Sequence, residues 1–418
     1  MRLDGRTVLV GVTGGIACYK ACEVVRLLVG RGARVRVVMT AGAQQFVTPL
    51  TLQTLSGQPV ATDTFSLTQE SEIGHIRLAD EADTVLIAPA TANVLGKLAG
   101  GIADDLLTTV LLATRAPVIV APAMNVHMWE HLAVQENLAR LVARGVRVVR
   151  PVSGPLACGY EGEGRLAPPE DLVEAVLCAL APQDLAGVRV LVSAGPTQEP
   201  IDPVRYLSNR SSGKMGHALA RVARRRGAEV TLVTGPTALP PPPDVRVVEV
   251  ATAREMARAL DGAFDDARVL IMTAAVADYR PRRSLPHKLK KGPTVAQTLE
   301  LERNPDILAG LARRKESRLV VGFAAETRDV AAEARRKLRA KRLDLIVAND
   351  VTAPGAGFGS DTNVVRLLDG SGRMETLPVL PKEEVAARIL DWVAARLAPA
   401  AAGARPAPRP RSLRRRPA

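Results

Sequence analysis

The apolar and polar positions of this chain repeat one pattern twice. Residues 7–15, TVLVGVTGG, form an apolar run closed by glycines, followed by a stretch of helical period and then RGARVRVVMT at 31–40. Residues 188–197, VRVLVSAGPT, open the same series, which ends in RGAEVTLVTG at 226–235. A short β-branched run without polar alternation is the pattern of a strand covered on both faces, as in parallel sheets. Strand, Gly turn, amphipathic helix and second strand make one βαβ unit. The fold class predicted is therefore α/β, with two Rossmann-like domains on parallel sheets. The second copy carries an insertion, TQEPIDPVRYLSNRSS, between its strand and its helix.

Further apolar runs predict strands at 83–90, 116–125 and 145–151 in the first half. In the second half they fall at 245–250, 267–278, 318–327 and 343–350. Several end in small or polar residues: APAT, APAMN, TAAVAD, GFAAET and VAND. Open α/β sheets bind ligands outside the carboxyl ends of their strands, so each half is expected to carry one crevice there. Turn chemistry in ALAPQDLAG (179–187) sets the boundary, giving domains at 1–184 and 185–398.

Composition adds limits. Of 418 residues 47% are hydrophobic, enough for two cores, but only 3% are aromatic, so Val, Leu, Ala and Ile must fill them. Residues 399–418 are mostly Ala, Pro and Arg and are expected to form a disordered tail. The net charge of +13 points to nucleic acid only until its distribution is seen: six arginines of the excess lie in that tail, with no aromatics between them for stacking. No specific nucleic-acid partner is expected. No apolar run approaches the roughly 18–20 residues of a membrane span, so no membrane partner is expected either. Cys18, Cys22, Cys158 and Cys178 are too few and scattered for a disulfide framework, which points to a reducing cytoplasm.

In the first half, Gly11-Val12-Thr13-Gly14-Gly15 joins strand to helix, as a phosphate-binding turn or as a plain tight turn. The GxGxxG spacing is absent and Met39-Thr40 stands where a dinucleotide site needs an acid, so a mononucleotide is favoured. His75 opens a predicted helix, as a base or as a structural histidine. Cys158 lies among Gly159, Gly162 and Gly164, a composition expected of a flap. Taken in order, GVTGGIACYK, GHIRLADEAD, APATANVLGKLAGGIADDLL, PAMNVHMW and ACGYEGEGRL resemble the homo-oligomeric flavin-containing Cys decarboxylases, and within them phosphopantothenoylcysteine decarboxylase. The resemblance implies a flavodoxin-like flavoprotein half, with FMN held non-covalently by Gly14, Gly15, Thr40, Thr91 and Asn93. It makes His75 the base, Asn125 the substrate-binding amide and Cys158 the proton donor. Oxidation of the cysteinyl thiol by FMN to a thioaldehyde would give the departing CO2 an electron sink, and the hydride would return afterwards.

In the second half, Ser211, Ser212, Gly213 and Lys214 precede a predicted helix, as a phosphate cradle or as an ordinary helix start. GxxxxGK[ST] is absent. Lys288, Lys290 and Lys291 share a polar loop, and Lys337 and Lys341 share one helix face. Together with Asp278 and Asn304-Pro305-Asp306-Ile307 they suit a nucleoside triphosphate, although single surface lysines are usually only solvated charge. SAGPTQEPIDPVRYLSNRSSGKMG, TAAVADYR, KLKK, NPDIL, VGFAAET and LDLIVANDV are similar to the bacterial, CTP-using phosphopantothenate–cysteine ligases. That resemblance implies activation of 4′-phosphopantothenate by CTP as an acyl-cytidylate, with cysteine then displacing CMP. Asn209 would bind the acyl intermediate and Lys288 would be the critical loop lysine. CTP contacts would be Met272, Thr273, Ala274, Asp278, Lys288, Pro305, Asp306, Ile307, Leu308, Phe323, Lys337 and Lys341, with Mg2+ accompanying CTP; Asp278 is expected either to contact the nucleotide or to help hold that ion, and no other metal ligand is identified.

The two activities in this order resemble the bifunctional coenzyme A biosynthesis proteins of bacteria over about residues 5–395. That family assembles as a homo-oligomer, a dodecamer. The competing expectation is a flavoprotein decarboxylase of other cysteinyl substrates whose ligase half is inactive.

Overall fold

The structure is a computed structural model that describes residues 1–64, 74–155, 159–290, 298–326, 329–350, 357 and 359–398, with Glu326 and Asp350 described by their backbone alone. The expected tail at 399–418 lies outside the described residues. Two compact units divide the chain, Met1–Pro182 and Gln183–Ala418.

The first unit runs β1 (Thr7–Val12), α1 (Cys18–Gly30), β2 (Arg34–Met39), α2 (Pro49–Ser56), β3 (Val60–Ala61), α3 (Gly74–Glu81), β4 (Thr84–Ala90), α4 (Ala92–Gly100) and α5 (Leu106–Ala113). It continues with β5 (Val118–Pro122), α6 (Val126–Glu130), α7 (Leu132–Ala143), β6 (Arg147–Val148), the antiparallel pair β7 (Val152–Pro155) and β8 (Glu161–Arg165), and α8 (Pro169–Leu180). Its sheet is parallel, in the order β3-β2-β1-β4-β5-β6. Without the two-residue edge strand β3 this is the 2-1-3-4-5 order of flavodoxin-like sheets. Every residue of β1 and β4 is buried, because helices cover both faces. On one face Val24, Leu28 and Val176 of α1 and α8 pack with Val8, Val10 and Val35. On the other, Val94, Leu107 and Leu138 of α4, α5 and α7 pack with Leu9, Val85 and Val120. A Cβ on Gly11 would stand 2.6 Å from Leu107 Cδ1, so a larger residue there would push that side chain of α5 aside.

The second unit runs β9 (Arg189–Ala194), the antiparallel pair β10 (Gln198–Pro200) and β11 (Tyr206–Ser208), α9 (Lys214–Arg225), β12 (Glu229–Thr234), β13 (Arg246–Glu249), α10 (Ala253–Phe264) and β14 (Val269–Met272). A second pair, β15 (Tyr279–Pro281) and β16 (Leu301–Arg303), precedes α11 (Ile307–Arg313), β17 (Leu319–Glu326), α12 (Val330–Ala340) and β18 (Leu345–Asp350). The chain ends with β19 (Thr362–Asn363), β20 (Val365–Asp369), β21 (Met374–Thr376), β22 (Leu380–Pro381) and α13 (Lys382–Leu397). The sheet order is β13-β12-β9-β14-β17-β18-β20-β21. Its first six strands are parallel, and β20 and β21 extend them antiparallel. Leu219 and Val222 of α9 and Val385 and Ile389 of α13 cover one face, while Leu260 and Phe264 of α10, Leu311 and Leu338 cover the other. Among the described residues no helix is long and apolar enough to cross a membrane.

Candidate functional site

In both sheets the connections reverse direction beside the first strand, between β1 and β4 and between β9 and β14. That is where an open α/β sheet leaves a crevice. Each unit has a cavity there.

The cavity of the first unit holds about 620 Å³, and its wall includes Gly14, Gly15, Thr91, Asn125, Lys20 and Arg165. Its floor is locked by Thr13, fully buried, whose Oγ1 donates to Pro89 O at 2.7 Å and accepts from Thr91 N at 3.1 Å. Thr91 Oγ1 in turn caps α4 by accepting from Val94 N. Gly14 lies against Gly42 so closely that an added Cβ would stand 2.8 Å from a backbone carbon. Asn125 caps α6, its Oδ1 accepting from His127 N at 2.9 Å. Strand β8 presses onto that segment: a Cβ on Gly164 would meet Met124 O, and Gly164 O accepts from Met124 N at 3.0 Å.

Of the residues the sequence singled out, Gly14, Gly15, Thr91 and Asn125 meet in this cavity. Thr40, at the end of β2, accepts from Ala43 N and does not line it, nor does exposed Asn93 on α4. His75, half-buried on α3, stands outside the cavity of its own chain. Cys158 lies outside the described residues. Sequence reasoning takes in Thr13, Lys20 and Arg165 only as members of longer motifs and gives none of them a role of its own. Lys20 Nζ donates to Leu166 O at 3.2 Å, and burial with the neighbouring Arg165 charge pushes its pKa below the usual lysine range.

The cavity of the second unit holds about 590 Å³ and gathers Asn209, Thr273, Ala274, Asp278, Phe323 and Lys337, with the Ser211–Lys214 turn on its wall. Two strand ends are laced together to shape it. Ser193 Oγ accepts from the backbone N–H groups of Thr273 and Ala274, each at 3.2 Å, and Thr273 Oγ1 donates to Ser193 O at 2.6 Å. Thr197 Oγ1 accepts from Ala277 N at 3.0 Å. Asn209 Nδ2 donates to Val276 O at 2.9 Å, which fixes its amide at the mouth. Gly213 opens α9 in the left-handed conformation, where a Cβ would meet Thr237 Cγ2 at 2.6 Å. Asp278 is the only acidic side chain on the cavity wall among the described residues.

The other expected nucleotide contacts fall outside this wall. Met272 is buried in the core, only 7% exposed. Asp306 caps α11, with Pro305, Ile307 and Leu308 around it, and pairs with Lys341 at 2.8 Å. Burial alone would raise the Asp306 carboxyl, but Lys341 holds it below the ordinary carboxylate value. This segment still adjoins the site, since Asn304 N donates to Asp278 O at 2.8 Å. Lys288 is exposed on a loop tethered by buried Asp202: its Oδ2 accepts from Leu289 N at 3.0 Å, and its Oδ1 from Val204 N and Arg205 N. Those backbone bonds, the Leu289 one foremost, hold the Asp202 carboxyl below its usual pKa. Lys290 is exposed on the same loop and Lys291 lies outside the described residues. Lys382 on the cavity wall was not foreseen. Among the described residues no group of three His, Cys, Asp or Glu side chains is placed to hold a metal ion.

Comparison with known proteins assigns both units. A flavoprotein family model matches residues 2–180, and the model of the DNA/pantothenate metabolism flavoprotein C-terminal domain matches residues 185–397. The coenzyme A biosynthesis bifunctional protein CoaBC of Bacillus subtilis (strain 168) is 50% identical over 397 residues, covering 94% of this chain and 98% of that one. The protein of the same name from Escherichia coli (strain K12) is 47% identical over 400 residues, covering 95% and 98%. Among solved structures, the C-terminal domain of a coenzyme A biosynthesis bifunctional protein CoaBC is 45% identical with a TM-score of 0.45, covering 51% of this chain and 98% of that one.

Proposed function

The chain belongs to the family of coenzyme A biosynthesis bifunctional proteins, and from that premise we propose which half performs which reaction, and with which side chains. It is a bifunctional enzyme of coenzyme A biosynthesis, a phosphopantothenoylcysteine decarboxylase and a phosphopantothenate–cysteine ligase. In our reading residues 185–398 join 4′-phosphopantothenate to cysteine at the expense of CTP, and residues 1–184 decarboxylate the product to 4′-phosphopantetheine. The observation that carries this division is the second unit's cavity, which collects Asn209, Asp278, Phe323 and Lys337 at the switch point of its sheet.

In the ligase half a carboxylate oxygen of 4′-phosphopantothenate attacks the α-phosphorus of CTP and pyrophosphate leaves. Cysteine's amine then attacks the acyl carbon, loses a proton and expels CMP. Lys337 and the positive end of α9 neutralise the phosphates, and Asn209, braced on Val276 O, holds the acyl group. Lys288, on the loop that Asp202 tethers, is in this reading the critical loop lysine. Mg2+ fits as a companion of the triphosphate that keeps most of its waters, with Asp278 as its protein carboxylate.

The first unit's cavity suits FMN. Gly14 packs directly on the Gly42 backbone, where a Cβ would not fit, which brings its own backbone to the cavity wall, and Thr91 with the start of α4 presents donors to an anion. When bound, FMN supplies the reversible two-electron oxidation that lets a carboxylate depart from an otherwise unactivated carbon. Asn125 orients the substrate carboxylate, His75 takes a proton from the substrate and Cys158 returns one. His75 standing outside its own chain's cavity supports flavin sites shared between copies, as in the family's homo-oligomers. Ile16, Tyr19 and Leu132, all more than half exposed on this unit, support the same reading. Cys18, Cys22 and Cys178 form no disulfide, which supports a cytoplasmic enzyme.

Two variants of the full chain test the division of labour. With phosphopantothenate, cysteine, CTP and Mg2+, Cys158→Ser should accumulate phosphopantothenoylcysteine. Lys288→Gln should make none, yet decarboxylate that intermediate when it is supplied. Normal phosphopantetheine output from Cys158→Ser, or normal CMP release from Lys288→Gln, would refute the assignments.

A further inference from the structure

Lys382 is the first residue of α13, only 7% exposed, and lies on the wall of the ligase cavity. Its ammonium donates to the carbonyls of Ser360 and, at 2.9 Å, Thr362. Lys214, the first residue of α9, grips the same stretch of chain: its Nζ donates to Gly359 O at 2.9 Å and pairs with Asp361 Oδ1 at 2.7 Å. Two long helices therefore begin at one short loop, each with an ammonium on its first residue. Helix N-termini carry partial positive charge, which adds to that of the lysines. Asp361, the carboxylate paired there, is 88% exposed and well screened by solvent.

Such an arrangement gathers like charges in a partly buried place. Burial, with the nearby Lys214 charge, pushes the Lys382 pKa down to about 8. A loop staple needs two N–H donors, which a neutral amide also has; it does not need a buried charge beside another. An ammonium carries three N–H groups, of which the two carbonyls take two. The concentration of charge suits a polyphosphate better than a single phosphate, and the reaction's nucleotide brings one.

We propose that Lys382 donates its third N–H to the β,γ-phosphate end of the nucleotide and, with Lys214, holds the pyrophosphate as it leaves. In that step the bond from substrate carboxylate to Pα forms and the Pα–O bond to the β-phosphate breaks, its electron pair departing on pyrophosphate. No proton is required. The inference rests on the ligase reading above.

The test is steady-state pyrophosphate release by the full chain. Lys382→Gln keeps two donors for the loop and removes the charge. It should raise the KM for CTP by about 10- to 100-fold, the loss expected for a hydrogen bond to a charged group, and weaken inhibition by inorganic tripolyphosphate in step. The KM values for phosphopantothenate and cysteine, and inhibition by CMP, should stay unchanged. Asp361→Asn, at an exposed position where folding is not at stake, should strengthen tripolyphosphate inhibition by releasing Lys214. The proposal is overturned if Lys382→Gln leaves CTP and tripolyphosphate unaffected, if it weakens CMP and phosphopantothenate equally, or if Asp361→Asn changes nothing. Wild-type protein that released no pyrophosphate from CTP would instead strike the ligase reading itself.

Discussion

Gly216→Ala should disable ligation while sparing decarboxylation. Gly216 is the third residue of α9, where the helix passes over the carboxyl end of β9. A methyl group there would lie 2.5 Å from Ala194 Cβ, 2.6 Å from Thr273 Oγ1 and 3.0 Å from Ala194 Cα. Thr273 cannot swing away without giving up its 2.6 Å bond to Ser193 O. Ordinary contacts begin near 3.4 Å, so the start of α9 must withdraw by about 1 Å. Overpacking of this kind costs about 1–3 kcal/mol, which for a unit of this size lowers its Tm by roughly 2–10 °C. The functional loss should be larger. The Ser211–Lys214 turn rides on the same end of the helix, and a displacement of about 1 Å at a positioned group can cost about 100-fold in rate. CTP-dependent CMP release should fall by roughly that factor, while turnover of supplied phosphopantothenoylcysteine stays at the wild-type rate. Ligation within about twofold of wild type, with an unchanged Tm, would refute the packing argument.

Gly14→Ala should purify with little flavin, because its Cβ meets the Gly42 backbone and no side chain can give way; normal flavin absorbance would contradict this, and ligation serves as the control. Asp202→Asn should loosen the loop carrying Lys288, since a neutral amide oxygen accepts poorly from the three N–H groups the carboxylate holds. Faster proteolysis near 285–290 and slower ligation are expected, and an unchanged cleavage rate would count against the tether. Glu383 pairs with Arg225, which is only 2% exposed. Burial pushes the Glu383 carboxyl up, and the hydrogen bond and charge of Arg225 are foremost among the causes that outweigh it, leaving the pKa depressed. A depressed carboxylate stabilises the fold above its unfolded pKa of about 4.3 and loses that contribution as pH falls further. Glu383→Gln should therefore cost about 3–5 kcal/mol at pH 7, by denaturant unfolding, and much less near pH 2; an equal loss at both would contradict the ion-pair account.

The parallel cores were legible because buried strands carry unbroken apolar runs, and β1, β4, β9 and β14 each hold one, such as Val190–Val192 in β9. Shorter elements were harder to see. The run at 145–151 yields only the two-residue strand β6, and the insertion at 197–212 folds as the β10–β11 pair, whose few residues leave no period to detect. Strands β20 and β21 were not foreseen, being short and partly polar at an antiparallel edge. The same distinction holds for the sites. Gly14, Asn125, Asn209 and Asp278 stand in motifs at strand ends. Thr13, Lys20 and Lys382 act through burial and distant partners: Thr13 through Pro89 O, and Lys382 through a loop that Lys214 also grips. No local pattern of residue types carries that information.

One reaction tests the central claim most directly: mass spectrometry of the purified, flavin-replete protein incubated with 4′-phosphopantothenate, cysteine, CTP and Mg2+. The account predicts 4′-phosphopantetheine, with CMP and pyrophosphate formed in equal amounts. Formation of neither phosphopantetheine nor the cysteine conjugate would contradict it.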